Sequence, residues 1–151
     1  MPLLKLFRRL FPRFEPQRVA LADLGEAVSD KYGWWQVQSF RVLNGRKVGL
    51  SFKSGPDPPG EKQLSLWHRI DSNWPEIWKA VVAKLDSELE VDDPTGERAR
   101  FFKKLRPAGI VITGSSDEPC WELTVLPDIY SGHMVILRMN GLECEDFGFD
   151  G

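Results

Sequence analysis

A single-domain α+β fold, with an antiparallel β-sheet packed on a central amphipathic helix, is what this sequence predicts, and three observations carry it. Runs within 34–53 and 109–147 alternate apolar and polar residues with the period of two expected of strands covered on one face. Between them, "NWPEIWKAVVAKLDSELE" repeats its apolar residues at helical spacing. The 151 residues suffice for one core and leave no room for a second full domain.

The chain divides into a basic amphipathic segment, 1–18, and one α+β domain, 19–151. In "MPLLKLFRRLFPRF", Leu3, Leu4, Leu6, Phe7, Leu10, Phe11 and Phe14 recur at spacings of three and four between Lys5, Arg8, Arg9 and Arg13. Residues 1–18 carry a net charge of +4, and the remaining 133 residues carry −6. Such a segment can lie on an anionic membrane surface, dock in a partner's groove, or pack on its own domain. Leu3, Lys5, Leu6, Phe7, Arg8, Arg9 and Leu10 are its candidate contacts. In a eukaryotic source it would also suit a mitochondrial presequence.

"GWWQVQSFRVLNGRKVGLSFKSG" reads as a hairpin, 34–42 with 46–53. A three-residue loop, Leu43-Asn44-Gly45, is preferred to a two-residue turn. It sets Val48 opposite Phe40 and Leu50 opposite Gln38, with Trp34 on the covered face. Trp35 then points to the far face, where an exposed aromatic marks a candidate partner surface. "SGPDPPGE" is a loop by its prolines and glycines. A short helical piece through Leu64, Trp67 and Ile70 follows. The main helix starts at Asn73 as N-cap, with Glu76 completing a capping box. Its stripe of Trp74, Ile77, Trp78, Val81, Val82, Leu85 and Leu89 must bury itself on the sheet, with Trp78 at its middle.

"GERARFFKKLRP" predicts a short helix with Phe101 and Leu105 inward. Strands are expected at 109–113, 121–126, 133–139 and 142–147. The last pair turns at Asn140-Gly141 with both residues at positive φ. That register matches Met139 with Leu142, Arg138 with Glu143, and Leu137 with Cys144. Cys144 then faces the core, while Arg138, Glu143 and Glu145 share the other face.

The run from "WWQVQSFRVLNGRKVGLSF" through "NWPEIWKAVVAKL" and "GERARFFKKL" to "IVIT…WELTVLPDIYSGHMVILRMNG…FGFDG" resembles the bacterial domain of unknown function 2262. The likeness spans roughly residues 33–151 and includes the Gly132-His133 element. It implies a bacterial α+β domain with no established activity, so it brings no catalytic residues with it.

Composition bounds the chemistry further. With 42% apolar and 28% charged residues the chain matches globular averages rather than disordered ones. A net charge of −2, with no RNP, zinc-finger or basic-helix pattern, gives no reason to expect nucleic acid. Cys120 and Cys144 form neither a CxxC pair nor a disulfide framework and read as reduced thiols of a cytosolic protein. P-loop, dinucleotide, nucleophile-elbow and HExxH patterns are all missing, and no metal or cofactor is expected.

Two histidines remain, His68 and His133. His133, with carboxylates among Asp128, Glu143, Glu145, Asp146 and Asp150, could build a small hydrolase, yet strand parity points it to the covered face and Glu143 and Glu145 away. His68 has only Asp71 near it in sequence. The reading that follows is a non-catalytic interaction module that binds another protein, of which an immunity-type role is one form. Its partner surface comprises Trp35, Arg138, Glu143, Glu145 and Asp146. The hydrolase, and a peripheral membrane protein anchored by residues 3–14, are the alternatives.

Overall fold

A computed structural model of the chain describes residues 14–88, 102–115, 117–126 and 134–150. Among these residues nine strands form one sheet: β1 (Arg18–Leu21), β2 (Gly25–Ser29), β3 (Trp34–Val37), β4 (Arg41–Leu43), β5 (Arg46–Lys53), β6 (Arg106–Gly114), β7 (Pro119–Leu126), β8 (Met134–Asn140) and β9 (Glu143–Asp150). The spatial order is β1-β2-β3-β5-β6-β7-β8-β9, with β4 paired to β5. Among the described residues, the connection from β5 to β6 contains the helices α1 (Glu61–Ser72) and α2 (Trp74–Glu88) and a short helical stretch at 102–104. That crossover makes β5 and β6 parallel, while every other pair is antiparallel. The fold is thus a mostly antiparallel, sheet-rich single domain with helices, and the expected all-antiparallel sheet is corrected at this one junction.

Residues paired across strands share a face, so the registers define rows running across the sheet. One inward row reads Trp35, Phe52, Ile112, Trp121, Met139, Cys144. The next reads Leu50, Ile110, Leu123, Leu137, Phe147. The helices cover these rows with Leu66, Trp67 and Ile70 of α1 and Trp74, Ile77, Val81 and Leu85 of α2, all in one buried cluster. Two buried indoles of the layer find partners: Trp35 Nε1 donates to Gly55 O at 3.0 Å, and Trp121 Nε1 donates to Gly141 O at 2.7 Å. Gln63, fully buried, accepts from Gly60 N and donates to Lys53 O, tying the start of α1 to the end of β5.

Several local expectations change. The strand expected over 34–42 is broken into β3 and β4. The Asn44-Gly45 turn is the two-residue type, with Leu43 opposite Arg46 and both turn residues at positive φ (49° and 74°). Residues 38–40 absorb the offset between Gln36↔Ser51 and Arg41↔Val48, and a one-residue difference in register turns every side chain of β3 over. The β1–β2 hairpin arises from residues to which the pattern assigned no strand, and its first member begins at Arg18, the last residue of the basic segment set apart from the domain. Asn73 closes α1 rather than capping α2 with its side chain: Nδ2 donates to Arg69 O at 2.8 Å, while its carbonyl accepts from Ile77 N. Trp78 is half-buried, stacked on the buried Trp74 at 5.8 Å, so the middle of the stripe is Trp74, Ile77 and Val81. Leu105 is buried as expected; Phe101 and Leu89 lie outside the described residues.

Candidate functional site

The β8–β9 hairpin gathers most of the polar residues singled out from sequence. Along β8, Val135, Leu137 and Met139 enter the core, and Met134, Arg138 and Asn140 are exposed. The reversal differs from expectation. Asn140 pairs with Glu143, so Gly141 and Leu142 are the turn residues, and of these only Gly141 has positive φ (58°), the pattern of a turn with glycine first. Met139 pairs with Cys144, but Arg138 pairs with Asp146. Glu145 is therefore the extra residue of a β-bulge, which explains how both Glu145 and Asp146 come to be exposed while Cys144 and Phe147 pack on the core.

Arg138 Nε meets Asp146 Oδ1 at 2.9 Å, and Asn140 Nδ2 donates to Glu145 Oε1 at 2.9 Å. Both contacts are solvent-exposed, so each contributes at most about 1 kcal/mol. On the open face Glu122, Arg138 and Asp146 stand in one row across β7, β8 and β9, charges alternating. Beside that row runs a second: Gly49, Gly109, Thr124, Ile136, Gly148. At the other end of this face Trp34, Lys53, Thr113, Ser115 and Glu122 line an open cleft of about 690 Å³, with Lys53 Nζ 5.5 Å from the Trp34 ring centroid.

Trp35 leaves the candidate surface. It is 1% exposed and lies opposite Phe52, because the two-residue turn puts Trp34, not Trp35, on the open face. Cys144 is half-buried; burial pushes its thiol pKa up, against the lowering effect of Lys84, with Asp146 adding to the rise. Lys84 itself is held above the usual lysine value, first by its hydrogen bond to Glu88. His133 and Asp128 lie outside the described residues, as do Leu3, Lys5, Leu6, Phe7, Arg8, Arg9 and Leu10. Among the described residues no three His, Cys, Asp or Glu side chains converge as a metal site.

Two features went unrecognised in the sequence. β9 runs on to Asp150, three residues past its expected end, and carries Phe149, 60% exposed, edge-on to Phe147 at 6.1 Å. The continued alternation of Phe147 and Phe149 was the available signal. The other is a recess of about 360 Å³ where His68 and Asp71 of α1 meet Asp23, Phe40, Arg41 and Val42. Arg41 spends its terminal nitrogens on the carbonyls of Asp23 and Leu24, and its buried Nε has no hydrogen-bond partner among the described residues. Only folding brings these distant segments together.

No helix among the described residues is long and apolar enough to cross a membrane. Compared with known proteins, the chain matches no family model, no curated protein and no solved structure.

Proposed function

We propose that this domain is a non-catalytic interaction module that binds another protein through its C-terminal hairpin, with Arg138, Glu143, Glu145 and Asp146 as the polar contacts. One observation carries the reading: among the described residues β9 is the longest strand with an unpaired edge, and it is also where exposed acidic side chains and an exposed phenylalanine are concentrated. The acidic body, net −6 over residues 19–151, favours a basic partner and speeds encounter with it. An immunity-type role, in which the domain caps a basic toxin, is one form of this function. The resemblance to the bacterial domain of unknown function 2262 belongs to the same proposal and assigns no activity. The carboxylates offered for a hydrolase favour binding instead, since Asp146 and Glu145 are already engaged by Arg138 and Asn140.

Affinity capture from the source cells tests it, with the full chain and with Glu143→Lys/Glu145→Lys/Asp146→Lys side by side. A partner held by the first and lost by the second is expected. A partner held equally by both would remove the hairpin from the interface.

A further inference from the structure

The two end strands of the sheet are not alike. β1 has four residues, whereas β9 has eight, and among the described residues no backbone hydrogen bond joins β9 to anything but β8. A long unpaired edge presents a row of backbone donors and acceptors to any extended chain of matching pattern. β9 also ends the apolar rows that cross the sheet. Cys144 and Phe147 close the two inward rows described above, and Phe149 closes a third that runs through Val125 and Val135. Val135 is fully buried, but Phe149 beyond it is 60% exposed, so the third row stops with an uncovered ring where a further strand would continue it. On the other face the charge row reads acid, base, acid: Glu122, Arg138, Asp146. The residue that continues it without repulsion is a cation.

We infer that β9 is an acceptor strand: a segment of a partner protein in which Lys or Arg alternates with apolar residues adds to its free edge as a tenth strand. The inference rests on the reading of the hairpin as the contact surface and names how that surface is used. Its apolar residues extend the inward rows beside Phe147 and Phe149, and its cations extend the open-face row beside Asp146. A second copy of the chain fits poorly. Its own β9 would bring Asp146 and Glu145, acids, to a row that a cation continues, and like charges brought together across a strand pair destabilise it.

The test uses the full chain and a blocked synthetic peptide of alternating valine and lysine, as long as β9, with a valine–glutamate peptide as control. Hydrogen exchange should show saturable protection of the Glu143–Asp150 amides by the lysine peptide alone, weakening as salt rises. Two N-methylated forms decide the mode. Methylating alternate amides on one edge of the peptide should weaken binding about tenfold or more, and methylating the other edge should leave it nearly unchanged. Phe149→Lys, a change at an exposed position, should weaken the lysine peptide further. Equal binding by both methylated forms, or protection that falls outside β9, overturns strand addition. So does a concentration-dependent dimer abolished by Phe149→Lys, which would make a second copy the occupant. If strand addition fails while Glu143→Lys/Glu145→Lys/Asp146→Lys still loses the cellular partner, this inference falls and the hairpin surface stands.

Discussion

Gly33 sits at φ +83°, and a Cβ placed on it would lie 2.7 Å from the Cα of Gly55, so the turn before β3 and the end of β5 approach more closely than any side chain allows. Gly33→Ala meets both the strained backbone and an immovable neighbour and should cost about 2 kcal/mol or more. A Cβ on Gly148 of β9 would meet no heavy atom of the described residues within 4 Å, and Gly148→Ala should change stability by less than about 1 kcal/mol. Urea midpoints of the two variants check the contrast. The cysteines differ in a similar way. Cys120 is exposed, while Cys144 is half-buried with its pKa raised chiefly by burial. A maleimide should therefore label Cys120 first at neutral pH. A raised thiol pKa means the folded state holds the proton more tightly than the unfolded one. The stability this contributes is complete below the ordinary thiol range and declines as pH climbs through the raised value, an effect that Cys144→Ser should remove from a stability profile taken on the alkaline side.

At the level of elements, the same dipeptide makes two different turns. Asn44-Gly45 occupies both central positions of its hairpin, with Asn44 at φ 49°, whereas Asn140 is still paired in β8 and only Gly141 enters the left-handed region. Asn44→Val should cost about 1–2 kcal/mol, since a β-branched residue resists positive φ, while Asn140→Val loses only an exposed contact to Glu145 and should cost under about 1 kcal/mol. Comparable losses at both sites would show that Asn140 also carries turn strain. In α2, Trp74 is buried and Trp78 half-buried, so Trp74→Ala should cost about 3–5 kcal/mol and Trp78→Ala distinctly less. Trp74 Nε1 is buried with no hydrogen-bond partner among the described residues, and Trp74→Phe removes that donor; its loss should fall well short of that of Trp74→Ala. Thermal melts of the three variants rank them.

For the whole molecule, the sheet begins earlier than the change in composition implies. Gln17 and Ser29 exchange two hydrogen bonds at 2.9 Å, and Arg18, counted with the basic segment by its charge, pairs with Val28 and bridges Glu26. Removing residues 1–21 strips β1, with Leu21 and the half-buried Val19, and should lower the melting temperature relative to removal of residues 1–13. Equal melting temperatures for the two truncations would show β1 to be dispensable to the sheet. The same cut would uncover β2 as a second free edge, so aggregation on heating should rise in the shorter chain.

The elements themselves were largely legible: β5, the main helix and the strands from 109 onward follow from periods of two and 3.6 that depend only on which face is covered. Arg138, Glu143, Glu145 and Asp146 were also recognisable as a polar surface, because charged residues in an alternating strand rarely point into a core. What needed tertiary structure was register and partnership. A turn one residue shorter placed Trp35 in the core and Trp34 on the open face, and a bulge at Glu145 reset every pair beyond it. Nothing local distinguishes these alternatives, since each keeps the alternation intact and differs only in which distant row it completes. The parallel β5–β6 junction, the recess around His68 and Arg41, and the free edge of β9 were decided in the same way. They depend on which segments end up as neighbours, a choice made by burying all the apolar rows at once rather than by any one stretch of chain.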